Sequence, residues 1–329
     1  MRKIVLGIII FLILAVVAAE LVLRYKYGFL SAPLYVANPD YEYIYAPNQE
    51  IERFGNTIRT NSFSMRNDPV NPSDTTVILL VGDSVVNGGS LTDQDSLAST
   101  MLEKRLTQTL GRRVRVLNIS AGSWGPDNVA AYLRKHGLFN ANLMCLVASS
   151  HDAHDIMGHE PVVGIDPNLP DKQFDWALQE LWVRYEWMIE YMWESKVNLK
   201  NLLRYIEGSA NFAPLPEKDR PTTGIVKNGE GFNPGFMELA EIARQNGIPF
   251  FIFLHPETLE IEQGNYNSQG QEIIQFAQQN GIRLIKELEV GASKVYYRRG
   301  DLVHYNSSGQ LFLANQLYPL FLSHLSPSH

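Results

Sequence analysis

A chain of 329 residues is long enough for one large α/β domain with an elaboration, or for two small domains. Its 45% hydrophobic and 19% charged composition is that of a folded globular protein and excludes a disordered chain. The net charge of -7, with no Lys/Arg cluster beside any candidate site, offers no attraction for a polyanion and argues against nucleic-acid binding.

Ile4 to Ala19 is an unbroken run of apolar or glycine residues, preceded by Arg2-Lys3 and followed by Glu20-Leu21-Val22-Leu23-Arg24. As a helix this run spans about 24 Å, and extending it to Leu23 reaches the roughly 30 Å of a hydrocarbon layer if Glu20 lies near the interface. The basic start places the N-terminus inside and the body outside the cytoplasm. Residues 1–23 are thus read as a single-pass membrane anchor or, with Val17-x-Ala19 as a cleavage site, as a signal peptide of a secreted protein.

Residues 24–75 contain Pro33, Pro39, Pro47, Pro69 and Pro72 with no sustained helical period. Tyr35, Tyr41, Tyr43, Ile44 and Tyr45 would be costly to leave wet, so this stretch is expected to wrap onto the domain as an extended approach. Residues 76–329 form the main domain. Its first strand is Thr76–Val81, followed by a helix in which Ala98, Leu102, Leu106 and Leu110 recur every four residues. Val114–Asn118 is a second strand, Asp127–His136 a helix capped by Asp127, and Leu143–Val147 a third strand. The single cysteine, Cys145, lies in this apolar run, where it is a packed thiol with no disulfide partner.

Residues 156–230 interrupt the pattern. Phe174, Trp176, Leu178, Leu181, Trp182, Tyr185, Trp187, Met188, Tyr191, Met192 and Trp193 fall in one or two helices with aromatics on more than one face. They can pack on the core, stack on sugar faces through Trp182, Trp187 and Trp193, or meet a protein partner or membrane. Gly208–Gly231 reads as a returning loop. Helix, strand, helix and strand then resume at Phe236–Gln245, Pro249–Leu254, Gln271–Asn280 and Ile282–Ile285, with Asn246-Gly247 and Asn280-Gly281 as helix stops. Asn306 or Ser307 caps a last helix that Pro319 disturbs near its end. Strands alternating with helices predict a three-layer α-β-α sandwich around a mostly parallel five-stranded sheet.

In such a sheet the ligand site lies beyond the carboxyl ends of the strands. Ser84 of Gly82-Asp83-Ser84 follows the first strand, Gly122 the second, and His151 and Asp152 the third; Asp301 and His304 precede the last helix. His304 would take the hydroxyl proton of Ser84 as general base, with Asp301 orienting the imidazole. The backbone N–H groups of Ser84 and Gly122, with the His151 ring as a third donor, are candidates for an oxyanion hole. Trp124 and Asp152 are further candidates for substrate contact. A competing chemistry uses His151-Asp152-Ala153-His154-Asp155 with His159 and His255 to bind a divalent metal, although their spacing matches no strong zinc signature. No cofactor is expected.

These blocks resemble those of the SGNH hydrolases, also called GDSL esterases: Gly-Asp-Ser, a glycine, Gly-x-Asn-Asp and Asp-x-x-His. Gly82-Asp83-Ser84 and Asp301-Leu302-Val303-His304 match the first and last directly, and Thr60-Asn61-Ser62-Phe63-Ser64-Met65-Arg66 is similar to a stretch preceding the domain in exported bacterial members. The likeness covers about 57–155 and 249–322, leaving the aromatic insertion outside it. It implies a flavodoxin-like sheet, Ser84 as nucleophile, His304 as base and Asp301 as its partner. The sequence departs at the third block, Ser149-Ser150-His151-Asp152, where His151 stands in the place of the oxyanion asparagine and Ser149 in that of the glycine. In the second block Ser123 is an alternative to Gly122 as donor. Together with the export signal, the resemblance implies an esterase acting on an O-acyl, in the first instance O-acetyl, group of an envelope or extracellular glycan. Acyl transfer through the same serine, a lipid ester substrate and a non-catalytic glycan-binding protein are the alternatives.

Overall fold

The computed structural model describes residues 2–195, 225 and 227–326. Helix α1 (Arg2–Tyr27) is long and apolar enough to cross a membrane, and Ile4 to Val22 expose most of their large side chains. It runs past the expected end at Leu23, and its last turns belong to the fold: Leu23 and Tyr27 are buried with Phe29 and Ala177. Glu20 is buried at this end of α1, and its carboxylate accepts the N–H groups of Ala177 and Leu178.

The approach segment folds into two antiparallel hairpins, β1 (Tyr35–Asn38) with β2 (Glu42–Tyr45) and β3 (Glu50–Arg53) with β4 (Asn56–Arg59). Tyr41, Tyr43, Ile44 and Tyr45 are buried, as the apolar area of their side chains favours. The main sheet then begins with β5 (Val77–Gly82), followed by the short α2 (Ser84–Asn87), α3 (Ala98–Leu110), β6 (Arg115–Ser120), α4 (Pro126–His136) and β7 (Ala141–Ser149). Gly125, not Asp127, is the N-cap of α4; Asp127 sits inside the first turn, and its carboxylate accepts from Met157 N and Asn233 Nδ2.

In the insertion one helix is described, α5 (Ala177–Ser195). Ala177, Leu178, Leu181 and Tyr185 pack against the end of α1, and a fully buried ion pair joins Glu180 to Arg53 at 2.6 Å. Over the described side chains, core packing therefore uses one face of this helix, while Trp182 on it and Trp176 just before it stand exposed. The side chains of Trp187 and Trp193 lie outside the described residues, as do residues 196–224. The sheet resumes through α6 (Gly235–Gln245), β8 (Phe250–His255), α7 (Thr258–Gln263), α8 (Ser268–Gln279), β9 (Arg283–Lys286), α9 (Glu287–Val290) and α10 (Ser307–Leu325). Asn306 caps α10 by accepting from Gly309 N, and the helix runs through Pro319 to Leu325 without ending there.

The five strands are all parallel in the order β6-β5-β7-β8-β9. Alternation along β5 divides its side chains between two cores: Val77, Leu79 and Val81 pack under α4, α6 and α8, while Ile78 and Leu80 pack under α3 and α10. Each fully buried Leu or Val contributes roughly 1.5–3 kcal/mol. The chain leaves β5 toward one neighbour, β6, and returns across it to the other, β7. The carboxyl ends of β5 and β7 therefore flank the crevice at which the strand order reverses.

Candidate active site

Ser84 begins α2 where β5 ends, and its placement depends on the two residues before it. Asp83 is the N-cap, accepting from Val85 N at 2.8 Å. Gly82 lies so close to β7 that a Cβ would stand 2.5 Å from Val147 O, so glycine is required for the approach of the two strands. The chain turns away after α2 at Gly88, whose φ of 73° is the left-handed conformation glycine adopts at least cost.

The loop before α10 brings the other two groups to Ser84. His304 Nε2 is 2.9 Å from Ser84 Oγ, and His304 Nδ1 is 2.8 Å and 2.9 Å from the two carboxylate oxygens of Asp301. Asp301 also accepts from the N–H groups of Val303 and His304. Burial pushes the Asp301 carboxyl up, but the bonds from the His304 ring and these two amides outweigh it and hold it down to about 2. With Nδ1–H committed to Asp301, Nε2 is free to accept the hydroxyl proton. The Ser84 hydroxyl, the His304 imidazole and the Asp301 carboxylate form one hydrogen-bonded chain, an arrangement suited to nucleophilic acyl chemistry.

Several further residues hold this chain in place. Arg66, wholly buried, donates to the carbonyls of Asn87, Gly89 and Thr92, clamping the loop that follows Ser84. The Thr60–Arg66 stretch is thereby tied to the candidate nucleophile. His255 at the end of β8 donates Nε2–H to Val303 O at 2.7 Å and Nδ1–H to Glu287 at 2.6 Å, so the loop carrying Asp301 and His304 hangs from a buried ion pair. Tyr305 OH donates to the same Glu287 carboxylate oxygen. Arg298 N donates to His304 O, while its guanidinium reaches Gly88 O. Arg66 stood in the Thr60–Arg66 stretch and His255 among the metal-capable residues, but their supporting roles, with those of Glu287, Tyr305 and Arg298, follow only from partners that meet in three dimensions.

Gly122 lies in the loop after β6, where a Cβ would meet nothing within 4 Å, and its carbonyl accepts from Tyr43 OH at 2.9 Å. Ser123 beside it adopts a positive φ of 56°. Trp124 is not available to substrate: it is buried between Tyr41 and Tyr132, and its Nε1–H donates to Tyr43 O at 2.8 Å.

His151 lies in a single 3-10 turn after β7, Ser150–Ala153. Its Nδ1 is 3.2 Å from Glu257 Oε1, and its Nε2 is 3.9 Å from Asp83 Oδ2 and 3.8 Å from Asp152 Oδ1. Burial alone would drive this imidazole down, but Glu257, Asp152 and Asp83 raise it to about 9. Burial and the neighbouring Asp83 hold the Asp152 carboxyl well above its usual range, with the His151 ring pulling against them.

Asp83, His151 and Asp152 are the group of metal-capable side chains that converges among the described residues. Their 3.8 to 3.9 Å separations exceed the roughly 3.4 Å expected between ligands sharing one tetrahedral ion at about 2.1 Å. As it stands the cluster has the dimensions of a charged imidazole among carboxylates. The larger histidine cluster expected from the sequence does not form: His154 pairs with Glu272, Asp155 with Lys227 and His255 with Glu287, while His159 is exposed.

No known family model matches the sequence, and no curated protein matches it. Among solved structures, the chain is similar to a lipase/acylhydrolase from Enterococcus faecalis, at 14% identity and a TM-score of 0.38 over 77% of this chain and 99% of that one. It is also similar to a GDSL-like lipase from Bacteroides thetaiotaomicron VPI-5482, at 11% identity and a TM-score of 0.36 over 76% and 90% of the two chains. The psychrotrophic esterase EstA from Pseudoalteromonas sp. is 9% identical, with a TM-score of 0.36 over 74% and 95%. Likeness this distant decides nothing about chemistry, and the functional reading of this chain stands on its side chains.

Proposed function

We propose that this chain is a serine hydrolase that cleaves O-acyl esters through an acyl-Ser84 intermediate. The observation that carries the reading is the unbroken chain Ser84 Oγ, His304 Nε2, His304 Nδ1, Asp301, with links of 2.9 Å and 2.8 Å, at the carboxyl edge of a parallel sheet. Ser84 Oγ attacks the ester carbonyl carbon while its proton passes to His304 Nε2; the carbonyl π electrons move onto oxygen as the C–O bond forms. The oxyanion then collapses, the bond to the leaving alcohol breaks, and His304 returns its proton to that alcohol. Water, deprotonated by His304, attacks the acyl-Ser84 carbonyl; as this second oxyanion collapses, the bond from the acyl carbon to Ser84 Oγ breaks, His304 returns the proton to Oγ, and the free acid leaves. Backbone N–H groups of Ser84 and of the Gly122 loop, with the His151 ring, are the proposed oxyanion donors.

The substrate class we infer is an O-acyl, in the first instance O-acetyl, glycan outside the cytoplasm. Its support is the apolar α1 with its basic start, which fits an exported or anchored protein, together with Trp182, 52% exposed and able to stack on a sugar face. Transfer of the acyl group to a sugar hydroxyl passes through the same intermediate. The test compares wild type with Ser84→Ala over a panel of acyl esters, with free acid and acylated product both read by mass spectrometry. Loss of every product in the variant is expected, and the wild-type products divide hydrolysis from transfer. Equal turnover by the two proteins overturns the proposal.

A further inference from the structure

We propose that the group meeting the oxyanion at His151 is an imidazolium, and that Glu257 is the positioning residue that fixes this state. The inference rests on the serine reading above and adds to it the charge of one oxyanion donor.

Geometry decides which nitrogen carries the proton. Glu257 is an acceptor at both oxygens: Oε2 receives Ile225 N–H at 2.5 Å, and Oε1 faces His151 Nδ1 at 3.2 Å. Nδ1 must therefore carry a proton. A neutral ring with its proton on Nδ1 has a bare lone pair at Nε2, which repels an oxyanion. Only the doubly protonated ring can donate from Nε2.

The surroundings are built for that charge. Asp83 Oδ1 is taken up by Val85 N and Asp152 Oδ2 by Ser149 N, so the second oxygen of each carboxylate is turned toward His151 Nε2. At 3.8 and 3.9 Å these oxygens are too far to claim the Nε2 proton as hydrogen-bond acceptors and near enough to favour the cation. Among the described residues Asp152 Oδ1 is buried with no hydrogen-bond partner, and the His151 ring at 3.8 Å is the polar group it faces. The other ionisable groups around the turn have partners of their own. Asp155 pairs with Lys227, and Glu272 of α8 with His154; Glu260 of α7 accepts from Ser150 Oγ and Glu257 N. None of them is a free cation that would drive the proton off. An asparagine amide would donate at any pH, whereas this donor is lost once the ring titrates.

The sign follows from a ring held above its ordinary value: the cation is complete at neutral pH and is lost as pH rises through about 9. The test uses the full chain in detergent, with ¹⁵N-histidine NMR and the pH profile of kcat/KM for p-nitrophenyl acetate. In wild type both His151 nitrogens are expected to be protonated at neutral pH, with an alkaline limb near 9. Glu257→Gln should move the NMR transition and the limb down together by about one pH unit or more. His151→Asn should abolish the limb while retaining turnover within about a hundredfold of wild type. A neutral ring at pH 7, or a limb unmoved by Glu257→Gln and still present in His151→Asn, overturns the inference. Failure of a fluorophosphonate to label Ser84 would instead refute the serine reading, so the two outcomes are separable. Restoration of activity by added Zn²⁺ or Mn²⁺ after chelation would assign the cluster to a metal and also overturn the imidazolium.

Discussion

Replacing Asp301 by asparagine removes one charge from the candidate triad while keeping its shape. Asp301 accepts from the His304 ring and from the N–H groups of Val303 and His304. Against the burial that pushes the carboxyl up, these bonds hold it at about 2 instead of the free value of 3.8, a depression worth about 2 kcal/mol of preference for the charged form. Because the folded value is depressed, this contribution to stability is complete above about pH 5 and disappears as pH falls toward 2. Asp301→Asn should therefore cost about 2 kcal/mol of unfolding free energy at neutral pH, and the gap from wild type should close in acid. The kinetic effect is larger, because an amide that donates to Nδ1 forces the proton onto Nε2 and no longer supports the imidazolium formed on attack. We expect kcat for p-nitrophenyl acetate to fall by about 10³ to 10⁴, with KM changed only a few-fold. Urea unfolding followed by tryptophan fluorescence, together with steady-state kinetics at pH 7.5, measures both. A variant that keeps kcat within about tenfold of wild type would refute Asp301 as the partner of His304.

Arg66→Lys keeps the charge but cannot span the carbonyls of Asn87, Gly89 and Thr92; loss of these buried bonds should cost about 3 kcal/mol in urea unfolding and lower kcat through the loosened Ser84 loop. Full retention of both would show that the clamp is incidental. Gly82→Ala places a Cβ against a backbone carbonyl of the neighbouring strand, and calorimetry should find a destabilisation of about 1–3 kcal/mol. An unchanged melting temperature would contradict the close approach of β5 and β7. Prolonged dialysis against a chelator should leave ester turnover intact, with metal content read by mass spectrometry; a loss of turnover that metal ions reverse would contradict metal-free serine chemistry.

The fold was legible because its strands announce themselves. Val77–Gly82 and the Leu143–Ala148 part of β7 are apolar runs, and a strand buried on both faces needs no alternation to be found; in β6 the apolar Val116, Leu117 and Ile119 stand among Arg115, Asn118 and Ser120. The carboxyl ends moved on by one or two residues, to Gly82, Ser120 and Ser149, where pairing with a neighbouring strand continues past the apolar residues. Pro319 lies near the end of α10 as expected, and the helix continues past it to Leu325 with Leu317, Leu320 and Phe321 buried in the core. Asp127 looked like a cap from residue type, yet Gly125 holds that position and the Asp127 carboxylate serves the loop at Met157.

The sequence by itself determined the kind of chemistry on offer: a serine at a strand end, a carboxylate and an imidazole three residues apart, and an apolar N-terminal helix. Each of these is a local property of residue type and spacing. Whether Ser84 and His304, 220 positions apart, would meet at hydrogen-bond distance was decided only by strand order and by the His255–Glu287 pair that suspends the loop at Val303. The same holds for His151. Its identity was plain in the chain, but its charge depends on which of its two nitrogens faces Glu257 and which faces Asp83 and Asp152, and these carboxylates arrive from different elements. Electrostatic environment is a property of distances through space, and for this site those distances exist only once the sheet has assembled.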